Sequence, residues 1–209
     1  AFLGGVEVTG NLDWVVSGGW EAGTAAGDAV MRLGGRVVDS AGSDSPVIVV
    51  GEGGVEGTAS VIIHPTWEGW AAGVAPNVEG RLVERMEHPT SGVFAGALGV
   101  AEAFSHVRGS VAAGRRRLGV SLWDLGADWT SEDAVGPQLR YLPDRLWIGG
   151  LGHLGQGYLW NIGFLPYKDS SVVQLFLQDF DHVVEANRST GLLVHSEVPC
   201  GILKTRMAA

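Results

Sequence analysis

Gly150, Gly152 and Gly155, then the carboxylates Asp179 and Asp181, with Asn187 and Arg188 just beyond, follow one another in an order that fits the binding of a phosphorylated nucleoside. The first two glycines let a backbone turn sharply and approach a phosphate with no side chain in the way, and the third lets the next helix lie close to the strand. N–H groups left unpaired at the start of that helix, at the positive end of its dipole, then face the anion. Asp179 stands 24 positions after Gly155, where a doubly wound sheet sets an acidic group against ribose hydroxyls. With 33 glycines in 209 residues a lone G-x-G-x-x-G match comes cheaply, so the flanking elements decide what it means.

Those elements read as a βαβ unit. Residues 145–149 are an apolar run closing on glycine, and residues 156–165 place Tyr158, Leu159, Ile162 and Leu165 at helical spacing before Pro166 and a polar stretch end the helix. Residues 172–177 are expected as a buried strand that stops just short of Asp179. Earlier in the chain, residues 46–50, 59–64 and 118–123 read as strands. Residues 89–109 read as a helix carrying Phe94, Ala97, Leu98, Ala101, Phe104 and Val107 on its apolar stripe. Gly51, Gly53 and Gly54 lack both the spacing and the following helix of a phosphate loop, so a turn is expected there. Trp67 and Trp70 read as a packing cluster, and Arg115, Arg116 and Arg117 as a solvated turn. The expected fold is therefore α/β. A Rossmann-like parallel sheet unit occupies residues 141–209, and a second, degenerate α/β module occupies residues 1–140, with the boundary near Gly136 and Pro137.

Beyond the glycine loop, the segment Asp179-x-Asp181-x-Val183, then Asn187 with Arg188, then Gly201-Ile202-Leu203-Lys204 resembles the ThiF/MoeB and ubiquitin-activating (E1-like) superfamily of adenylating enzymes. The resemblance covers residues 145–209. It implies ATP and magnesium as cofactors and a reaction in which a carboxylate, in the family the C-terminus of a ubiquitin-like or sulfur-carrier protein, attacks the α-phosphate. It further implies that Gly150, Gly152 and Gly155 form the phosphate loop, that Asp179 and Asp181 serve nucleotide binding with Asp179 on the ribose, and that Asn187, Arg188 and Lys204 contact the triphosphate. Arg188 and Lys204 are the residues it assigns to catalysis. A homodimer is the assembly it suggests. The family's arginine lies three residues after the Asn, where this chain has Thr190, and the family's metal-binding aspartate lies on a later strand than any here. The chain starts at Ala1 without a methionine and stops at Ala209 in the helix bearing Lys204, so a fragment with a truncated site is expected. By the same resemblance, residues 1–140 are expected to be an inactive half paired with an active one. A nicotinamide- or flavin-dependent oxidoreductase would use the same loop and Asp179 but gives Asn187, Arg188 and Lys204 no task; a non-catalytic nucleotide-binding scaffold is the other alternative.

Composition narrows the classes. Hydrophobic content of 45% with 18% charged residues excludes a disordered chain. A net charge of −9 speaks against a nucleic-acid surface, which needs a basic face. Cys200 stands alone, so no internal disulfide or paired-cysteine zinc site is expected, and it reads as a small apolar filler. The longest apolar run, 93–107, is interrupted by Glu102 and reads as a buried helix rather than a membrane span. His153 reads as an exposed loop residue. The Asn187-Arg188-Ser189 glycosylation pattern reads as chance, and no signal peptide is evident, so a cytoplasmic protein is expected.

Overall fold

The computed structural model describes residues 5–40, 42, 44–55, 58–85, 88–194 and 198–209. They fall into two units, Ala1–Ser17 with Glu21–Leu139, and Gly18–Trp20 with Arg140–Ala209. Both are α/β with parallel strand pairs.

In the first unit β1 (Glu7–Val8), α1 (Ala26–Arg32) and β2 (Arg36–Val37) make a short parallel βαβ turn, with Glu7 opposite Arg36 and the two side chains paired at 2.9 Å. A four-stranded sheet follows, from β3 (Pro46–Ile48), β4 (Val61–Glu68), β5 (Ala71–Ala75) and β6 (Leu118–Ser121) in that spatial order. β3 runs parallel to β4, and the later pairs are antiparallel. α2 (Pro89–Val107) lies across β3, β4 and β5. Pro89 sits at its first position, where the missing N–H has no helical partner to lose.

α2 presents a different face from the one its large apolar residues suggest. Ser91, Ala95, Gly99, Glu102 and Ala103 are buried, while Ala97, Ala101, Phe104 and Val107 face outward. Small residues win the sheet-facing side because they let the helix come close: a Cβ at Gly99 would stand 3.0 Å from the Pro65 ring. Ala103 joins Val61, Ile63 and Val74 in the core, with Ile48 and Leu98 packed against them. Buried Glu102 needs partners and finds them in the Gly114 N–H and the Arg116 guanidinium, each at 2.8 Å. The arginine run is the exposed turn that the sequence suggests, and from it Arg116 reaches inward to the buried glutamate. Arg117 ends the run with its guanidinium 5.4 Å from the Trp129 ring centroid.

In the second unit β7 (Arg145–Gly149), α3 (His153–Phe164), β8 (Gln174–Gln178) and α4 (Lys204–Ala208) follow in order. β7 and β8 pair in parallel from Arg145 opposite Gln174 to Gly149 opposite Gln178. α3 begins three residues before the apolar periodicity does, because Gly152 takes the N-cap position and the glycine loop runs straight into the first turn. Its Leu159 packs with Ile148 and Leu151, and Ile162, Leu177, Leu193 and Ala208 surround them; Tyr158 points to solvent. β8 is not the buried strand that its apolar content suggests. Side chains alternate across a strand, so Leu177 meets the core while Phe176 and its cross-strand neighbour Trp147 stay 59% and 73% exposed on the other face. Among the described residues no helix is long and apolar enough to cross a membrane.

Candidate nucleotide site

The glycine loop is built by backbone geometry at two positions. Gly150 has φ +87°, in the left-handed region that a side chain disfavours, and it turns the chain out of β7 while its N–H still donates to the Gln178 carbonyl at 2.7 Å. Gly155 faces that turn from the first coil of α3. A Cβ there would lie 1.8 Å from the Gly150 carbonyl oxygen, so only glycine lets the helix start against the loop. Among the described residues no side chain caps α3 at Gly152, which leaves its first N–H groups to a ligand or to water.

Asp179 ties the loop down. Its carboxylate accepts from the Leu151 N–H at 2.5 Å and from the Asp181 N–H at 2.8 Å. Partial burial opposes its ionisation, but those N–H bonds and the nearby Lys204 charge outweigh burial and hold the carboxyl below its usual range. Asp181 pairs with Lys204 at 3.0 Å. The segment carrying Lys204 is laced to the Asp181 segment through the backbone: Lys204 N–H to the Asp181 carbonyl at 2.9 Å, Val183 N–H to Ile202 at 2.8 Å, and Gly201 N–H to Val183 at 2.8 Å. Buried Gln156 fixes the rear of the loop. Its amide donates to the Leu151 carbonyl and accepts from the Leu193 N–H, both at 2.9 Å.

These parts enclose an open cleft of about 500 Å³ lined by Gly149, Gly150, Gly152, Gln178, Asp179, Phe180, Asp181 and Lys204. Of the residues singled out in sequence, Gly150, Gly152, Asp179, Asp181 and Lys204 come together there, and Gly155 supports them from behind. Asn187 and Arg188 lie outside the lining. The Asn187 amide oxygen accepts from the Val184 N–H at 3.0 Å, and Arg188 pairs with Glu185 at 2.9 Å and donates to the Val198 carbonyl at 3.2 Å. Thr190, in the place of the family arginine, donates to the Ala186 carbonyl. His153 is the exposed first residue of α3, and Cys200 is exposed, 3.6 Å from Glu185, rather than a core filler. Gln178 and Phe180 join the cleft without a sequence signal beyond their place beside Asp179, and nothing in the sequence marks Gln156 as a polar bridge. Among the described residues no group of three His, Cys, Asp or Glu side chains is placed to hold a metal ion.

Comparison with known proteins adds kinship to geometry. Residues 1–122 match the family model of the BilD N-terminal domain, and residues 142–209 match that of the BilD C-terminal domain. Over 193 residues the chain is 41% identical to the bacterial E1-like protein BilD of Collimonas sp. (strain OK412), an alignment covering 91% of this chain and 42% of that protein. The chain thus spans less than half the length of the curated relative it matches. No solved structure matches the chain. The relative's E1-like description agrees with the resemblance read from residues 145–209 at that coarse level.

Proposed function

The chain belongs to the BilD family, and from that premise we propose that it carries the ATP-binding part of an E1-like adenylating enzyme, one that activates the C-terminal carboxylate of a ubiquitin-like protein. The observation that supports this most is the convergence of the glycine loop, Asp179 and Lys204 on one cleft. The Asp179 carboxylate accepts from one N–H of the loop, at Leu151, and from backbone N–H groups of the segment that follows it, and its remaining acceptor capacity would serve ribose hydroxyls. The cradle suits a phosphate chain, since a Cβ at Gly150 or Gly152 would enter the open space that the cleft provides.

In this reading a carboxylate oxygen attacks the α-phosphorus, the bond from that phosphorus to the bridging oxygen breaks, and pyrophosphate leaves with the electron pair. Charge gathers on non-bridging oxygens. The uncapped N–H groups of α3 and the Lys204 ammonium are fixed before the reaction begins, which is the condition under which such donors lower a barrier most. Magnesium would arrive on the triphosphate oxygens, and we assign it no protein ligand among the described residues. Asn187 shapes the turn after Val183, and Arg188 would contact a phosphate by exchanging Glu185 for it. The first unit serves as the degenerate half of the pair: it keeps parallel strands, but among the described residues the glycines after β3 lead into no helix.

The test is ATP–pyrophosphate exchange by the full-length protein. Exchange that depends on a ubiquitin-like partner and disappears in Lys204→Ala supports the proposal. Tight NADH binding with no ATP binding would overturn it and favour an oxidoreductase.

A further inference from the structure

Lys204 occupies an awkward position for a surface cation. Its side chain is 11% exposed, whereas that of Asp181, its ion-pair partner, is 73% exposed. The backbone below the ammonium is pinned by the Lys204 N–H to the Asp181 carbonyl, so main chain and side chain of one residue hold both ends of the other. A lysine is a point charge on a flexible stem, so a counter-ion decides where that charge points. An ammonium has three N–H donors, and Asp181 accepts from one of them at 3.0 Å. Among the described residues no other acceptor takes its N–H groups, which leaves two donors for oxygens entering the cleft, while the carboxylate that holds the cation keeps its own outer side in water.

We infer that Asp181 is a positioning residue: it acts on the triphosphate through Lys204, holding that ammonium aimed into the cleft, and does not itself bind the nucleotide. The inference rests on the adenylation reading and narrows the role that the family resemblance gives Asp181. It also separates the two acids of the Asp179-x-Asp181 motif. Asp179 recognises the nucleoside, and Asp181 governs how strongly the phosphates are held.

The experiment measures MgATP and adenosine affinities by titration in the full chain for wild type, Asp181→Asn, Lys204→Met and the double variant. Asp181→Asn is expected to weaken MgATP by about tenfold while leaving adenosine unchanged, and the double variant is expected to bind MgATP no more weakly than Lys204→Met. Should Asp181→Asn fail to fold, Asp181→Glu, which keeps the charge but displaces it by one methylene, carries the same comparison with a smaller expected loss. An equal loss of adenosine and MgATP binding would show a merely structural role. Additive losses in the double variant, or tighter MgATP binding in Asp181→Asn, would also overturn the inference. If the wild type binds adenosine but no MgATP, the adenylation reading falls with it, an outcome separate from the failure of Asp181 alone.

Discussion

Gly155→Ala adds one methyl group where the structure has no room for it. The new carbon would stand 1.8 Å from the Gly150 carbonyl oxygen and 2.8 Å from its carbonyl carbon. Both are backbone atoms, so no side chain can swing aside, and loop and helix must part by more than about 1 Å to reach ordinary contact distances. Overpacking a core typically costs about 1–3 kcal/mol, and a clash between backbones belongs at the upper end. Parting them also pulls on the Gly150 N–H bond to Gln178 at 2.7 Å and the Leu151 N–H bond to Asp179 at 2.5 Å, which set the loop's shape. A control lies two residues on. A Cβ at Gly157 meets nothing within 4 Å, so Gly157→Ala should stabilise α3 by about 0.5–1 kcal/mol through helix propensity. One methyl group thus has opposite signs at two neighbouring glycines, with a gap of about 3 kcal/mol. Urea unfolding followed by tryptophan fluorescence reads the stabilities, and ATP titration reads the site, where a displacement of 1 Å is enough to lower affinity at least tenfold. If both variants shift stability in the same direction, or if Gly155→Ala binds ATP as the wild type does, the account of the loop is wrong.

Gln156→Ala strands the Leu151 carbonyl and the Leu193 N–H, each now bonded at 2.9 Å. A loss of at least about 2 kcal/mol in urea unfolding is expected, and a change within about 0.5 kcal/mol would show that water replaces the amide. Asp179→Asn removes the charge that holds the loop and the acceptor proposed for ribose, so adenosine and ATP should both bind at least about tenfold more weakly by titration; unchanged adenosine affinity would contradict the ribose role. Burial of Glu102 opposes its ionisation, but its bonds to Arg116 and the Gly114 N–H prevail and depress its folded-state pKa below the ordinary glutamate value of 4.5. Its contribution is therefore complete above pH 4.5 and is lost as pH falls through the depressed folded value. Urea unfolding across that range should show a steeper acid loss for the wild type than for Glu102→Gln, and parallel slopes would refute the assignment.

The glycine loop and the cleft beside it were legible because their signals are backbone signals. A left-handed turn favours glycine at Gly150 and a helix pressed against that turn admits only glycine at Gly155, so the letters report the geometry directly. The order Asp179, Asp181, Lys204 likewise survives into space, because the backbone bonds between 181–183 and 201–204 bring distant letters together. Asn187 and Arg188 follow in the same sequence order, yet their side chains are engaged locally by Val184 and Glu185, and no periodicity reveals which partner a surface side chain takes. The buried face of α2 departs from the apolar periodicity for a related reason. Hydrophobic periodicity ranks residues by size and polarity, but close approach to a sheet selects small ones, and Gly99 and Ala95 outrank Phe104 there. A buried glutamate such as Glu102 becomes readable only once Arg116 is known to reach it across 14 residues.

The central claim, that this cleft takes a nucleoside triphosphate rather than a dinucleotide, is tested most directly by titrating the protein with MgATP and with NADH, in wild type and in Lys204→Ala. The account predicts that MgATP binds the wild type, that Lys204→Ala weakens it by at least about tenfold, and that NADH binds more weakly than MgATP. NADH binding tighter than MgATP and unaffected by Lys204→Ala would contradict it.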